Sequence, residues 1–439
     1  MKRNRWFGIG LTVVLSAGLL AACSSKGEGS GSEAAGIPPA SNAASKPAGS
    51  GTIDFLFGDP NRTELFGRIT KSFNGSQSDV SVSFKPSGLQ HLEQLRTRLA
   101  TNDAPDMTSQ LQGFELASYV KEGYIKDLKN EEFMKKINPS ELETVKVGDG
   151  IYGIPMDTQA WGVFYNKKLF EKAGIQSPPK TISELKADVE KLKAAGITPF
   201  AAGFATPWTI GQFLGYAASP ILTPKVTANI EEYKKGNWTF DVPGMDEALS
   251  VLDLIVANTQ PRPFDSDVSG QYAVFAKGDA AMMVQGNWSI VQLRELNKDL
   301  DMGMFPLPIS EDPNLLKFPK QYGFVINVLE NAKDMDAVRK YVDYFMDSNG
   351  EAKVYYDSIG IPTANSTADP KLDSASEELQ QYLKDNKTVF TYYSYEPAGF
   401  DAESWKIIVD YIYKGEKDHK KLIGQFDAAF KKFAGSLSK

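Results

Sequence analysis

The chain has 439 residues, 42% of them hydrophobic and 23% charged, with a formal net charge of −7. The length beyond position 51 is ample for two domains, and the acidic balance argues against nucleic acid or an anionic membrane face as an electrostatic partner. Cys23 is the only cysteine, so no internal disulfide can form and stability outside a cell must come from packing.

Lys2, Arg3 and Arg5 precede an apolar run at 6–22 that ends in small residues, the pattern of a secretory signal peptide. Its last letters, Leu20-Ala21-Ala22-Cys23, resemble the bacterial lipobox, in which the cysteine thiol is acylated and the peptide before it removed. An uncleaved membrane helix is the alternative, since 17 such residues could just span a bilayer. The lipobox resemblance implies a lipoprotein that begins at Cys23 and is held on a membrane by palmitate-type chains, at about 0.8 kcal/mol per buried methylene. Loss of the three cations takes the net charge from −7 to −10. From Cys23 to Gly51 the chain is rich in Ser, Gly, Ala and Pro, with Ile37 its only large apolar side chain. Such a segment is a flexible tether with a reach of about 30 Å.

The segment TIDFLF at 52–57 alternates as a strand, Leu65, Phe66, Ile69 and Phe73 fall at helical spacing, and VSVSF at 80–84 alternates again. A helix at about 89–101, a short strand PDMTS, and a strand WGVFYN at 161–166 follow. Thr181 and Glu184 have capping-box spacing, starting a helix that Gly196 ends after about Ala195, before the extended ITPFAAG. Further strands are expected at 280–286, 301–305 and 322–328, and helices at 337–347, 402–413 and 419–433. This alternation predicts an α/β fold with mostly parallel sheets covered on both faces. Two proline-bearing extended segments, 152–161 and 304–309, interrupt it; they are either ordinary loops or crossings between two lobes.

Enzyme motifs are scarce: there is no G-x-S-x-G, Walker loop or H-E-x-x-H, and the two histidines, His91 and His419, lie far apart. The acidic loop at Asp265 and Asp267 begins like a calcium loop, but Ala276 stands where the bidentate glutamate belongs, which favours a solvated loop. The pairs Tyr355-Tyr356 and Tyr392-Tyr393 resemble the adjacent tyrosines of ferric-ion-binding proteins, with helix packing as the alternative. Tryptophans carry more information. Trp161, Trp208, Trp288 and Trp405 stand beside Gly, Pro, Asn or Ser at expected element ends, whereas Trp238 reads as structural. Sugar rings offer flat C–H faces ringed by hydroxyls, so a sugar site combines aromatic plates with neutral or acidic hydrogen-bonding groups. Asp59, Asn61, Gln110, Gln112, Gln159 and Asn287 are groups of that kind, and Arg62 is the main cationic exception.

The order of motifs over 52–439 resembles the family 1 extracellular solute-binding proteins of sugar ABC transporters. ATNDAPDM at 100–107 is similar to that family's A-x-G-x-x-P-D region, with Asn102 in place of the glycine. The block from Tyr152 to Phe200 and FAKGDAAMMVQGNWS at 275–289 match further family motifs, and FPLP, GFVIN and GIPT follow in order. The resemblance implies a two-lobed periplasmic-binding-protein-like fold of type II, with extended hinge segments and a third crossing near Gly360–Thr363. Lobe I would comprise 52–158 and 306–362, and lobe II 159–305 and 363–439. It further implies a monomeric, cofactor-free, metal-free receptor that captures a neutral oligosaccharide and hands it to an ABC permease from the outer face of a Gram-positive membrane. The ligand-binding residues it implies are Asp59, Asn61, Gln110, Gln112, Gln159, Trp161, Trp208, Asn287, Trp288, Tyr322 and Trp405. An extracellular lipoprotein glycosidase, needing two facing carboxylates, and a ferric-ion receptor are the rival classes.

Overall fold

The computed structural model describes residues 51–347, 353, 356–357 and 360–437. Cys23, the run before it, the tether to Ser50 and Tyr355 lie outside the described residues.

The β-α-β opening forms where alternation and helical spacing place it. Strand β1 (Gly51–Phe57) buries Ile53, Phe55 and Phe57, and the helix Thr63–Ser76 lays the stripe Phe66, Ile69 and Phe73 inward. Strand β2 (Val80–Pro86) and, after the helix His91–Ala100, β3 (Met107–Ser109) both pair parallel with β1. Strands β4 (Lys146–Val147) and β5 (Gly150–Ile151) form a small separate ladder.

Strand β6 (Ile154–Asn166) then runs for 13 residues, every one of them buried. The extended segment at 152–161 is therefore mostly its first half, continuous with the strand expected at 161–166. Downstream, Thr181 caps the helix Ile182–Ala194 by accepting from the Glu184 N–H, while the Glu184 carboxylate reaches back to the Lys180 N–H, one residue short of a reciprocal box. The remaining strands are β7 (Thr198–Ala201), β8 (Ala280–Gly286), β9 (Met302–Phe305), β10 (Phe318–Val328) and β11 (Thr388–Phe390). Helices Met335–Met346, Phe400–Tyr413 and His419–Phe433 match expectation closely.

Among the described residues the main sheet has nine strands in the order β2-β1-β3-β10-β6-β8-β7, with β11 beside β10 and β9 beside β6. The expectation of mostly parallel pairing needs correcting. β1–β2, β1–β3, β7–β8 and β10–β11 are parallel, but β10–β3, β10–β6, β6–β8 and β6–β9 are antiparallel. The physical reason is that β6 carries the chain out of the first half of the sheet and β10 brings it back. Two hydrophobic cores result. Ile154, Met156 and Ala160 of β6 belong to the first, with Phe55, Phe66 and Phe324; Trp161, Val163 and Tyr165 belong to the second, with Phe200, Leu249 and Phe426. The third expected crossing also meets β6, where the Thr158 N–H donates to the Pro362 carbonyl at 2.8 Å.

His91 is structural. Its ring is buried, with Nδ1 2.7 Å from Ser87 Oγ and Nε2 2.9 Å from the Ser109 carbonyl oxygen. Burial holds its pKa below the ordinary 6.5, with the Ser109 carbonyl acting in the opposite direction. The unfolded chain therefore binds the proton at a higher pH than the folded chain, and stability declines as pH falls below about 6.5. An NMR titration of the two imidazoles should show the resonance lost in His91→Gln titrating below the ordinary value. A normal or raised midpoint would contradict this account.

Candidate functional site

Alternation along β6 divides its residues between two faces, because successive side chains of a strand point in opposite directions. Asp157, Gln159 and Trp161 share one face; Thr158 and Ala160 share the other. The antiparallel register sets Gln321 opposite Gln159, and Tyr322 opposite Thr158, so β10 is divided in the same way.

The back face is a structural pin. Lys320 Nζ lies 2.7 Å from Glu141 Oε1, both side chains are 7% exposed, and Thr158 Oγ1 donates to Glu141 Oε2 at 3.0 Å. The ammonium also sits 4.8 Å from the centre of the Phe390 ring. Tyr322 belongs to this side, wholly enclosed, with its ring edge-on to Phe390 at 5.5 Å. The structure thus places Tyr322 in packing behind the ladder and does not bring it to the site.

On the front face, Arg62 bridges two carboxylates. Its Nη1 lies 2.5 Å from Asp59 Oδ2 and its Nη2 3.0 Å from Asp157 Oδ2, all three side chains being buried. Asp59 and Arg62 flank the turn Pro60–Arg62 that carries Asn61, whose side chain is not among those described. Next along the face, Gln159 lies over Gly323. A Cβ at 323 would stand 2.2 Å from Gln159 Cδ and 2.4 Å from Asp157 Oδ1, so a larger residue there would displace both side chains, at an irregularity in the β6–β10 register. Gln110 approaches from the end of β3 with a backbone φ of +72°, a conformation uncommon outside glycine that clusters at functional sites. Gln112 is partly engaged: its Nε2 donates to the Tyr322 carbonyl at 3.2 Å.

Trp161 closes the face and opens an aromatic cluster. Tyr216 is its centre, 6.2 Å from Trp161, 6.0 Å edge-on from Trp288 and 5.6 Å stacked from Tyr393. These plates touch one another, so a ligand ring entering between them must separate them. The indole of Trp288 folds back over Gly286, which has an ordinary φ of −86°, and lies 2.1 Å from where a Cβ would stand. Asn287 is a second correction. Its Oδ1 accepts from the Ala160 N–H at 3.0 Å and its Nδ2 donates to the Thr158 carbonyl at 3.2 Å, so its amide is spent on holding β6 and faces no cleft.

Trp208 starts a helical turn in which Gln212 and Tyr216 follow at intervals of four, with N–H to carbonyl bonds from 212 to 208 and from 216 to 212. Trp405 backs onto Gly211 of the same turn. Trp161 Nε1, Gln212 Oε1 and both carboxylate oxygens of Glu396 are buried without a hydrogen-bond partner. Glu396 Oε1 lies 3.1 Å from where a Cβ on Gly215 would stand. Burial, then Asp401, push the Glu396 carboxyl well above the usual carboxylate range; burial pushes the Tyr216 hydroxyl up as well. Tyr216, Gln212 and Glu396 are absent from the sequence-based set, which followed tryptophans; the four-residue spacing from Trp208 is the signal that could have found the first two.

A cavity of about 600 Å³ opens between Phe114 and Ser118 on one side and Ile230, Lys234 and Tyr395 on the other, and none of Trp161, Tyr216, Trp288 and Tyr393 lines it. The other candidates resolve as structure. Asp267 caps the helix Val268–Lys277 and Asp265 pairs with Arg262, while Tyr392 bonds Tyr233 through their hydroxyls at 2.8 Å inside the second core. Trp238 packs edge-on against Tyr233 at 5.3 Å.

Residues 59–352 match the family described as bacterial extracellular solute-binding proteins. The multiple sugar-binding protein of Streptococcus mutans is 23% identical over 278 residues, 62% of this chain and 65% of that protein. The melibiose/raffinose/stachyose-binding protein of Bacillus subtilis is 22% identical over 275 residues, 60% of this chain and 62% of that protein. The chain thus spans less than two thirds of the length of these two relatives. The apo form of RafE from Streptococcus pneumoniae has the same two-lobed fold, with a TM-score of 0.75 at 21% identity over 90% of this chain and 99% of that one.

The pin predicts a stability effect. Lys320→Met strands the buried Glu141 carboxylate and should cost about 3–5 kcal/mol, part of which Glu141→Gln in the same chain restores. Denaturant unfolding of both variants measures this; equal stability of wild type and Lys320→Met would refute the pairing.

Proposed function

The chain belongs to the bacterial extracellular solute-binding proteins, and on that footing we propose that it is a membrane-anchored receptor that captures a carbohydrate and delivers it to an ABC permease. The observation that carries the reading is the front face of β6 and β10. Asp157, Gln159 and Gln321 lead into the plates Trp161, Tyr216, Trp288 and Tyr393, an array suited to flat sugar faces edged with hydroxyls. Relatives named for sugar binding support the same substrate class. In this reading lobe I comprises 52–158 and 306–362, and lobe II comprises 159–305 and 363–439. The lobes close on a neutral oligosaccharide about the β6–β10 ladder. Asp59, Asn61, Gln110, Gln112 and Gln159 edge the cleft, and Trp208 and Trp405 extend it.

Glycoside hydrolysis would need two carboxyl groups free to act as acid and as base or nucleophile. Asp59 and Asp157 are both engaged by Arg62, which favours holding over cleaving. Anchoring rests on Cys23: acylated there, the receptor stays beside its permease on the outer face of a Gram-positive cell, while the tether leaves it free to turn.

Thermal-shift measurements across a set of oligosaccharides, with product analysis, test the function: stabilisation without turnover is expected, and released monosaccharide would contradict it. Trp288→Ala should remove roughly 1–3 kcal/mol of binding while leaving the fold intact. Unchanged affinity together with a large loss of stability would take Trp288 out of the site. Cys23→Ala should shed the protein into the medium or leave it as precursor, and normal lipidation of that variant would refute the anchor.

A further inference from the structure

Buried polar atoms are almost always hydrogen-bonded, and an exception in a folded protein has a reason. Three such exceptions belong to residues tied to Tyr216: the indole N–H of Trp161, whose ring lies 6.2 Å from it, the amide oxygen of Gln212, whose carbonyl accepts from the Tyr216 N–H, and the carboxyl of Glu396, which acts on the Tyr216 hydroxyl. They amount to one donor and two acceptor groups. With its oxygens enclosed without a donor, the carboxylate form is strongly disfavoured against the neutral carboxyl. The ionisable groups acting on Glu396 are Asp401 from the helix Phe400–Tyr413, Tyr393 from its own connection and Tyr216 from the facing turn, with Tyr392 and Tyr233 behind. All are acids. Among these groups no cation offsets a charge on Glu396, so the donors that would allow it to ionise must come from the ligand.

Resting on the sugar-receptor reading, we propose that Glu396 is a specificity-determining acceptor for an uncharged, polyhydroxylated ligand, and that capture of the ligand releases the proton held at Glu396 in the free receptor. The exchange balances without any change in the sugar. Glu396 gives its proton to the buffer and becomes a carboxylate, and two ligand hydroxyls, keeping their own hydrogens, donate to its oxygens. Gln212 Oε1 accepts from a further hydroxyl, and Trp161 Nε1 donates to a ring or bridging oxygen. All three unpartnered groups are then satisfied at once. Asp401 opposes the ionisation, so release depends on a full set of ligand donors, and a sugar lacking one of the hydroxyls is selected against.

The test is calorimetric titration of the full chain with raffinose, stachyose, maltotriose and a chitosan trimer, in phosphate and in Tris at the same pH. For at least one neutral sugar, the observed heat should differ between the buffers in the direction of proton release. Affinity should rise with pH, by no more than about tenfold per unit, the limit for one proton. Glu396→Gln, which keeps the shape but cannot ionise, should bind at least about tenfold more weakly and lose both dependences. In the unliganded chain at neutral pH, infrared difference spectra against Glu396→Gln should show the C=O stretch of a protonated carboxyl, a readout that needs no ligand. Absence of that band, buffer-independent heats, or the same pH dependence in Glu396→Gln would overturn the proposal while leaving the receptor standing. Preference for the chitosan trimer over every neutral sugar would overturn the ligand class, and binding of none of the four would overturn the receptor reading and this inference with it.

Discussion

The antiparallel pairing of Ile154–Ala160 with Lys320–Ile326 is the constraint from which the rest of the molecule follows. Its apolar residues belong to the first core, and the second begins at the next residue of β6, Trp161, and takes Val163 and Tyr165 while Phe164 stays with the first. Since a strand alternates its side chains, that ladder has a front and a back, and the chain uses them differently. Polar and aromatic groups fill the front. The back holds a buried ion pair, Glu141 with Lys320, anchored by Thr158. A slip of one residue would exchange the faces and bury the site, so register and function are one requirement.

Several devices hold that register. Asn287 bonds the Ala160 N–H and the Thr158 carbonyl, fixing β6 where its pairing passes from β10 to β8. Gly323 lets Gln159 and Asp157 lie flat against β10. Arg62 ties the turn after β1 to Asp157, so two separate chain segments meet at one buried charge network. Such a network is costly to desolvate and contributes to specificity of arrangement more than to stability. By contrast Trp161 Nε1, Gln212 Oε1 and the Glu396 carboxylate oxygens are buried without a hydrogen-bond partner.

Much of the architecture was legible in the sequence for local reasons. Phe66, Ile69 and Phe73 mark a helix by spacing alone, and Thr181 caps one through its own hydroxyl. The β6 strand was harder, because a buried strand usually reads as continuous apolar residues and Asp157, Thr158 and Gln159 break that pattern. Asp157 is held by Arg62 and Thr158 by Glu141, so their polar side chains are satisfied inside the sheet. Tyr322 and Asn287 were misassigned for a related reason: both sit in motifs near the cleft, but side-chain direction and hydrogen-bond partners depend on a register that only the long-range pairing sets. Tyr216 and Glu396 were missed because neither belongs to a tryptophan motif, and the loss of partners that marks Glu396 exists only once Gly215, Tyr393 and Asp401 converge.

The central claim is that a sugar is held on the front face of β6. A crystal structure of the chain bound to whichever oligosaccharide stabilises it tests this most directly. The account predicts a sugar ring seated against Trp161, with Tyr216 and Trp288 moved apart to admit it and hydroxyls within hydrogen-bond distance of Gln212 and Glu396. A sugar bound elsewhere, with those rings still in contact and the Glu396 oxygens still without a partner, would contradict it.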